Sequence, residues 1–578
     1  MARYTHVFVM GDFNYNLLEP HTHDHTYLTT LFHSCNLTIL PLDSTHHTAT
    51  TDTWLDVMAV SDPNLVPHHG QLPVPGISKH DLIFFVYELR PPKIRPKYVS
   101  YRNFKLINLN SLLLDASLLP WNVVLTADNV DLMISNFNTL LLQLLDQHAP
   151  IITKRVSRRP APWLSDQLKQ LQKQRDSAFR LARRTKSPQD WNIYKRLRNH
   201  TQQQIRNAKV RFYYTSLSKK QSTKTLWNKL KDLGIGKSKD NTPLSFDLNV
   251  LNDFFTNIPV DTSHARQYVT ELETTPLAAT ANQFSFTPVT EPEVLSAILR
   301  MSSNAVGADN IPIRLIKDTL PITLPVITAI FNKSLTSCTF PNLWKFSIVR
   351  PLQKTPTPNS PSDFRPISIL PALSKCLERI VHNQLSSFLE NNLLLSKFQS
   401  GFRSHHSTTT ALLNVTDDIR LAMDKREATI LTLFDFSKAF DCVFHPLLLF
   451  KLKEFGCSNG CVNWFKTYLT DRQQLVKVGS TESHWKPVTR GVPQGSVLGP
   501  LLFSLYINSV SDSISHSKFH IYADDLQIYY HFKVDDAHNS IQLINMDIND
   551  ITIWARKHGL KVNEFKIQTI VTVHTRLP

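Results

Sequence analysis

Glycine is scarce in this chain, with 14 in 578 residues. Such economy excludes glycine-rich linkers and repeat architectures, and it gives weight to any place where glycines gather. Three of the fourteen stand at Gly491, Gly495 and Gly499, so the backbone there is expected to turn sharply or to approach a ligand closely. Cysteine is equally sparse, at six, which excludes a disulfide framework. Cys457 and Cys461 lack a second Cys/His pair at zinc spacing, so buried, small apolar thiols in a reducing compartment are expected. No uninterrupted apolar run is long enough to span a bilayer, and MARYTHVFVMGDFN does not have the pattern of a secretory signal. A nuclear or cytoplasmic location without membrane partners is the expectation.

What the chain does have is positive charge and apolar content. It carries 63 Lys/Arg against 47 Asp/Glu, a net +16, and 42% hydrophobic residues. It can bury several cores, and its charge favours a polyanionic partner. The basic excess is concentrated: residues 153–220 hold 19 Lys/Arg against three Asp and no Glu. Two helical patterns fill this stretch, 165–185 and 190–217. Trp191, Tyr194, Phe212 and Tyr213 are interleaved with the charges, fit either for stacking on bases or for an apolar helix face.

Acidic residues are most informative where they interrupt apolar runs. IYADDLQIY (521–529) sets Asp524 and Asp525 between two β-rich segments, and TILTLFDFSKAFDCV (429–443) ends an apolar strand at Asp435. Carboxylates in such places are costly to desolvate unless their charge is compensated. Two carboxylates from separate strands meeting over a pair of divalent cations are the parts of two-metal phosphoryl transfer. Neighbouring strand residues point to opposite faces, so Asp524 and Asp525 are expected at a tight hairpin tip. An acidic surface turn fits the same four residues.

Along the chain, residues 1–90 read as part of an α/β or β-sandwich domain, followed by a proline-rich basic linker, RPPKIRPKY (90–98). Residues 91–285 are predicted to be a linker and basic helical connector, loosely structured over the Thr/Asn/Pro-rich 237–285. From 286 to 578 one mixed α/β domain is expected. Its order is strand to Asp435, helix, strand pair, glycine loop, helix, acidic hairpin, long helix.

Seven motifs then occur in order: AVGADNIP (305–312), SDFRPISILPALSKCLERI (362–380), FQSGFRSHHSTTTAL (398–412), FDFSKAFD (434–441), GVPQGSVLGP (491–500), YADD (522–525) and GLKVNEFK (559–566). Together they resemble the reverse transcriptases of non-LTR (LINE-type) retrotransposons, most closely the jockey-like group. The resemblance implies the fingers and palm of a right-hand polymerase, with the thumb missing, that copies an RNA template by adding dNTPs to a DNA primer. It implies Asp435 and Asp524 as ligands of two Mg²⁺ ions, with Mn²⁺ as an alternative, and Asp525 nearer the primer end. Lys354 and Arg365 then grasp the triphosphate, and Gln494 and Gly495 line the nucleotide and template. Phe440 stands against the sugar and excludes a 2′-hydroxyl, although an aromatic there fits core packing equally. Lys566 matches a lysine that protonates the leaving group.

The N-terminal part resembles the end of the apurinic-endonuclease-like domain of the same elements. GDFN (11–14) supplies Asp12 and Asn14, TWLDVM (53–58) matches a strand, and ISKHDL (77–82) aligns His80 with a catalytic histidine. Lys79 stands where the family has the aspartate expected to orient that histidine, and the first half of the nuclease is not seen. An inactive remnant is the expectation. A non-catalytic nucleic-acid-binding remnant of a truncated element is the alternative for the whole chain.

Overall fold

The structure, a computed structural model, describes residues 6–88, 97–156, 161–218, 223–232, 246–258, 260–276 and 282–573. The proline-rich linker at 90–96 and the polar stretches 237–245 and 277–281 lie outside the described residues. The chain divides into two compact units, 1–99 with 154–197 and 100–153 with 198–578.

In the first unit, strand Asp56–Val60 is buried throughout and pairs antiparallel with Phe8–Asp12 on one side and Thr38–Ile39 on the other. Strand geometry sends alternate side chains to opposite faces. Val57 and Ala59 therefore join Leu17, Leu28, Phe32 and Leu37 in one core, while Met58 and Val60 join Leu40 in another. The first basic helix, Asp166–Thr185, is capped by Ser165, whose hydroxyl accepts the Leu168 N–H, and it ends at Lys186 in the left-handed region (φ 58°). The second, Pro188–Ser218, folds back on it through aromatic contacts. Phe179 lies 5.1 Å from Tyr194 and 6.2 Å from Trp191, centroid to centroid. Trp191 and Tyr194 thus serve the apolar face between the helices rather than an open stacking surface.

The second unit contains the largest core and two sheets. A four-stranded antiparallel sheet runs in the order Lys518–Tyr522, Asp525–Phe532, Ala428–Phe434, Gln568–Thr572. A five-stranded sheet places Phe346–Gln353 between Phe364–Ile369, antiparallel, and Arg472–Val478, parallel; Arg472–Val478 also pairs with Thr481–Glu482 and Lys486–Val488. Helices cover both. Trp464, fully buried, stacks on Tyr468 at 5.7 Å and donates its indole N–H to Ser334.

Parts of the stretch expected as a linker and connector, 91–285, pack into the second unit. Helices Leu109–Leu118 and Val130–His148 pack on Ile313–Thr336 and share its core. Leu248, Leu251 and Phe255 of helix Leu248–Thr256 bury themselves against Val349, Phe364 and Val476 of the five-stranded sheet. Apolar residues spaced at helical intervals within polar sequence carry these contacts. Helix Ile313–Thr336 runs through two internal prolines, Pro321 and Pro325. Proline removes a helical hydrogen bond, but burial of Ile316, Leu320, Val326 and Ile330 holds the helix together.

Candidate active site

The site starts from register. Phe434, last residue of its strand, pairs with Leu526, so Asp435 and the residues preceding Leu526 leave the four-stranded sheet side by side. Tyr522 pairs with Asp525, so the hairpin tip is Ala523–Asp524 and Asp525 already belongs to the returning strand. This refines the sequence expectation of both acids at the tip. Asp524 is half-buried and Asp525 is exposed.

Ala523 holds φ at +59°, a conformation that costs an alanine about 1–2 kcal/mol. The buried side chain of Gln399 offsets that strain. Its carbonyl oxygen accepts the Ala523 N–H at 3.2 Å and the Gly401 N–H at 2.8 Å. Residues 398–400 run beside the hairpin, with Ile521 N–H donating to Phe398 O and Ser400 N–H to Ile521 O, both at 2.9 Å. Gly401 has no alternative: a Cβ there would lie 2.2 Å from the Ala523 nitrogen.

Asp435 is gripped from the other side by the 559–566 segment. The Asn563 backbone N–H donates to Asp435 O at 2.8 Å, its side-chain amide donates to Asp435 Oδ2 at 2.9 Å, and Lys566 Nζ lies 3.0 Å from the same oxygen. Asp435 and Asp524 open onto one cleft of about 740 Å³. Lys354, Arg365, Phe440, Gln494, Gly495 and Lys566 line it as well. Of the residues assigned to this site from sequence, Asp525 is absent from its walls.

The glycine loop forms another wall, shaped by close approach. Gly491 (φ 78°) would place a Cβ 2.7 Å from Asp441 Cα, and Gly495 (φ 115°) would place one 2.7 Å from Ser368 O. Ser368 N–H donates to Gln494 O and Val492 N–H to Phe440 O, fixing the loop to both sides of the cleft. Beneath it, fully buried Glu378 accepts the N–H groups of Val497 and Leu498. Phe440 is half-buried and stacks on Phe503 at 4.4 Å, so its ring serves both the core and the cleft.

Charges of both signs line the cleft. Burial, then the neighbouring carboxylates Asp525 and Asp435, push the Asp524 carboxyl above its usual range; burial and Asp435 do the same to Asp525. Lys566 opposes both shifts. Burial and the charges of Arg365 and Lys566 hold the Lys354 ammonium below its usual value. Carboxylates and basic side chains on one cleft suit a polyanion bound with divalent cations. Among the described residues no three His, Cys, Asp or Glu side chains close into a ready cation cage. The donor chemistry nevertheless fits one: hard carboxylate oxygens whose mutual repulsion a cation would relieve, with a lysine ammonium now on Asp435.

In the N-terminal unit the structure corrects an expectation. Lys79 was to deprive His80 of its orienting carboxylate, but His80 Nδ1 lies 2.8 Å from Asp56 Oδ2. Asp56 sits in the TWLDVM strand directly across from Asp12. A side-chain contact from a separate segment thus supplies what the adjacent position lacks. Asn14, at φ 56°, donates its backbone N–H to Asp12 Oδ1. Sequence reasoning also missed Gln399, Asn563 and Asp441. All three lie within quoted motifs, but their roles depend on contacts between segments far apart in the chain.

Residues 352–576 match the family described as "Reverse transcriptase (RNA-dependent DNA polymerase)". The chain is 32% identical over 306 residues to the "Probable RNA-directed DNA polymerase from transposon X-element" of Drosophila melanogaster, covering 50% of this chain and 33% of that protein. It is 27% identical over 499 residues to the corresponding protein "from transposon BS" of the same species, covering 80% and 53%. It is 37% identical over 210 residues to the "RNA-directed DNA polymerase from mobile element jockey", again from Drosophila melanogaster, covering 36% and 22%. The matched chain therefore spans between about a fifth and about half of the length of these relatives.

Two outcomes follow from the geometry. Gly401→Ala should cost about 1–3 kcal/mol in urea unfolding, because backbone must move to admit the methyl group. Gly11→Ala, with open space around its Cβ, is the control and should change stability little. A Gly401→Ala variant as stable as the parent would contradict the packing described. The second outcome concerns pH. Asp524 and Asp525 hold protons more tightly folded than unfolded, so stability is gained as pH falls through their raised range and lost as pH rises through it. Mg²⁺ should raise the melting temperature more at pH 8 than at pH 5, and Asp524→Asn should blunt the response. Equal shifts at both pH values would argue against a cation at these carboxylates.

Proposed function

We propose that the chain, whose residues 352–576 match the reverse transcriptase family, is the RNA-directed DNA polymerase of a non-LTR retrotransposon. The observation that carries this reading is the meeting of Asp435 and Asp524, at the ends of two neighbouring strands, on a cleft that Lys354, Arg365 and Lys566 also line. In this reading the four-stranded sheet is the palm and the five-stranded sheet belongs to the fingers. The substrates are an RNA template, a DNA primer and dNTPs.

Asp435 and Asp524 would hold two Mg²⁺ ions, with Mn²⁺ as the alternative; when bound, such ions would supply activation of the primer 3′-oxygen and charge neutralisation of the leaving pyrophosphate. Gln399 and Asn563 aim those carboxylates before substrate arrives, so little reorganisation is left for the reaction itself. Asp525, exposed beside the tip, faces the primer end. Lys354 and Arg365 receive the triphosphate; arginine adds a planar fork suited to phosphate oxygens. Gln494 and Gly495 line the nucleotide, with glycine permitting close approach. Lys566, whose ammonium donates to Asp435 at 3.0 Å, would be the proton donor to the leaving group. Two basic helices add sequence-independent affinity for nucleic acid phosphates. Among the described residues no helix is long and apolar enough to cross a membrane, and a nuclear or cytoplasmic site of action accords with this.

Primer extension on an RNA template tests the proposal. The parent chain should add dNTPs in Mg²⁺, and Asp524→Asn should reduce the rate by at least about a hundredfold, as expected when a metal-holding charge is lost. Nucleic acid binding without extension would favour a non-catalytic remnant.

Phe440 supplies a second test. Its ring flanks the cleft with Asp435 and Gln494. A ribose 2′-hydroxyl against it would clash and lack a hydrogen-bond partner. Phe440→Ala and Phe440→Val should narrow the preference for dNTP over rNTP by about ten- to a hundredfold and leave the Mg²⁺ response unchanged. Active variants with the parent's discrimination would put the sugar gate elsewhere.

A further inference from the structure

Asp441 directly follows Phe440 and faces both the main cleft and a smaller neighbouring cavity of about 40 Å³. The two spaces share Phe255, Pro366, Asp441, Pro493 and Gln494, so Asp441 and Gln494 form part of the partition between them. Gln494 Nε2 donates to Asp441 Oδ1 at 2.8 Å. An ionised carboxylate only accepts hydrogen bonds, so this contact turns the amide nitrogen towards Asp441. The carbonyl oxygen of Gln494 is then the group offered elsewhere. Asp441 also shapes the loop through its backbone, since Gly491 packs against its Cα and carbonyl.

The carboxylate is expensive where it stands. Burial pushes it up to about 6, while Gln494, Lys438 and Lys354 pull the other way. Both lysines are engaged elsewhere. Lys438 Nζ lies 3.6 Å from the centroid of the Phe254 ring and donates to Phe254 O, and Lys354 Nζ donates to Ser362 O. A half-buried acid held mainly by one neutral amide needs a reason beyond stability.

We propose that Asp441 is a positioning residue that fixes the rotamer and amide orientation of Gln494, so that the nucleotide meets a carbonyl acceptor rather than a donor at that point. This rests on reading the cleft as the nucleotide site. It assigns Asp441 no contact with the reacting atoms.

A double-mutant cycle separates positioning from folding. Asp441→Ala, Gln494→Ala, the double variant and Asp441→Asn are compared in two assays: KM and kcat for dNTP in primer extension, and binding of a fluorescent dNTP in Ca²⁺ without turnover. Each alanine variant should weaken dNTP binding and raise KM about tenfold, the scale of one hydrogen bond, with kcat changed less. The double variant should be no worse than either single one. Asp441→Asn keeps an acceptor oxygen and should stay within about threefold of the parent. Effects that multiply in the double variant, or an Asp441→Asn variant as weak as Asp441→Ala, overturn the proposal. If the parent binds dNTP but extends no primer, the polymerase reading falls, while coupling in the binding assay still decides the role of Asp441. If the parent binds no dNTP, both fall. Should Asp441→Ala fail to fold, Asp441→Asn measured against Gln494→Ala and Asp441→Asn/Gln494→Ala decides the matter: a coupled cycle supports the proposal and an additive one removes it.

Discussion

Mutual repulsion between carboxylates is the constraint around which the second unit is arranged. The pairing of Phe434 with Leu526 brings Asp435 next to the Asp524–Asp525 pair, and both paired acids are pushed towards protonation, first by burial and then by the charge of Asp435. Such an arrangement lowers the stability of the folded chain unless a cation is present. The surroundings offset that penalty locally. Lys566 lends its ammonium to Asp435, Asn563 donates twice to the same residue, and Gln399 fixes the neighbouring hairpin tip from behind. These groups come from segments 128, 131 and 36 residues away from Asp435 in the chain. A core containing Trp344, Trp464, Tyr468 and Phe503, all fully buried, keeps those segments in place.

Backbone contact is the second theme. A chain this poor in glycine places the residue where a methyl group would collide with another backbone: Gly401 against Ala523, Gly491 against Asp441, Gly495 against Ser368. Each contact joins the wall of the cleft to a different segment. Shape there is therefore set by main chain, which varies less than side-chain rotamers do. Ala523 shows the converse. It adopts the left-handed conformation without being glycine, and two N–H groups on one buried amide make that tolerable.

The N-terminal unit shows how local sequence misleads. With Lys79 beside it, His80 looked stripped of its carboxylate, yet Asp56 provides one from a strand 24 residues away. The same applies to 91–285. Its net charge and polar runs suggest a tether, but a few apolar residues on each of several helices suffice to bind 100–153 to the larger core and 248–256 to the five-stranded sheet. From sequence, 248–256 falls in a loosely structured stretch, because the three apolar residues that this short helix buries carry little weight among polar neighbours.

By itself, the sequence determined the parts of the site and their order. Acid residues ending apolar strands, a cluster of glycines and basic residues before them are choices that only desolvated charge and close backbone approach explain, and both are local properties of the chain. The hairpin, the helices flanking it and the approach of Asp435 to Asp524 could be anticipated on that basis, whereas Phe440, Gln494, Lys354 and Arg365 are expected beside them only through the family resemblance. Only the tertiary structure decided which of the adjacent acids faces the cleft, which side chains hold them, and that Gln399, Asn563, Asp441 and Asp56 take part. Those outcomes depend on strand register and on contacts between residues tens to hundreds of positions apart. Such contacts are fixed by the packing of the whole core, which no single motif encodes.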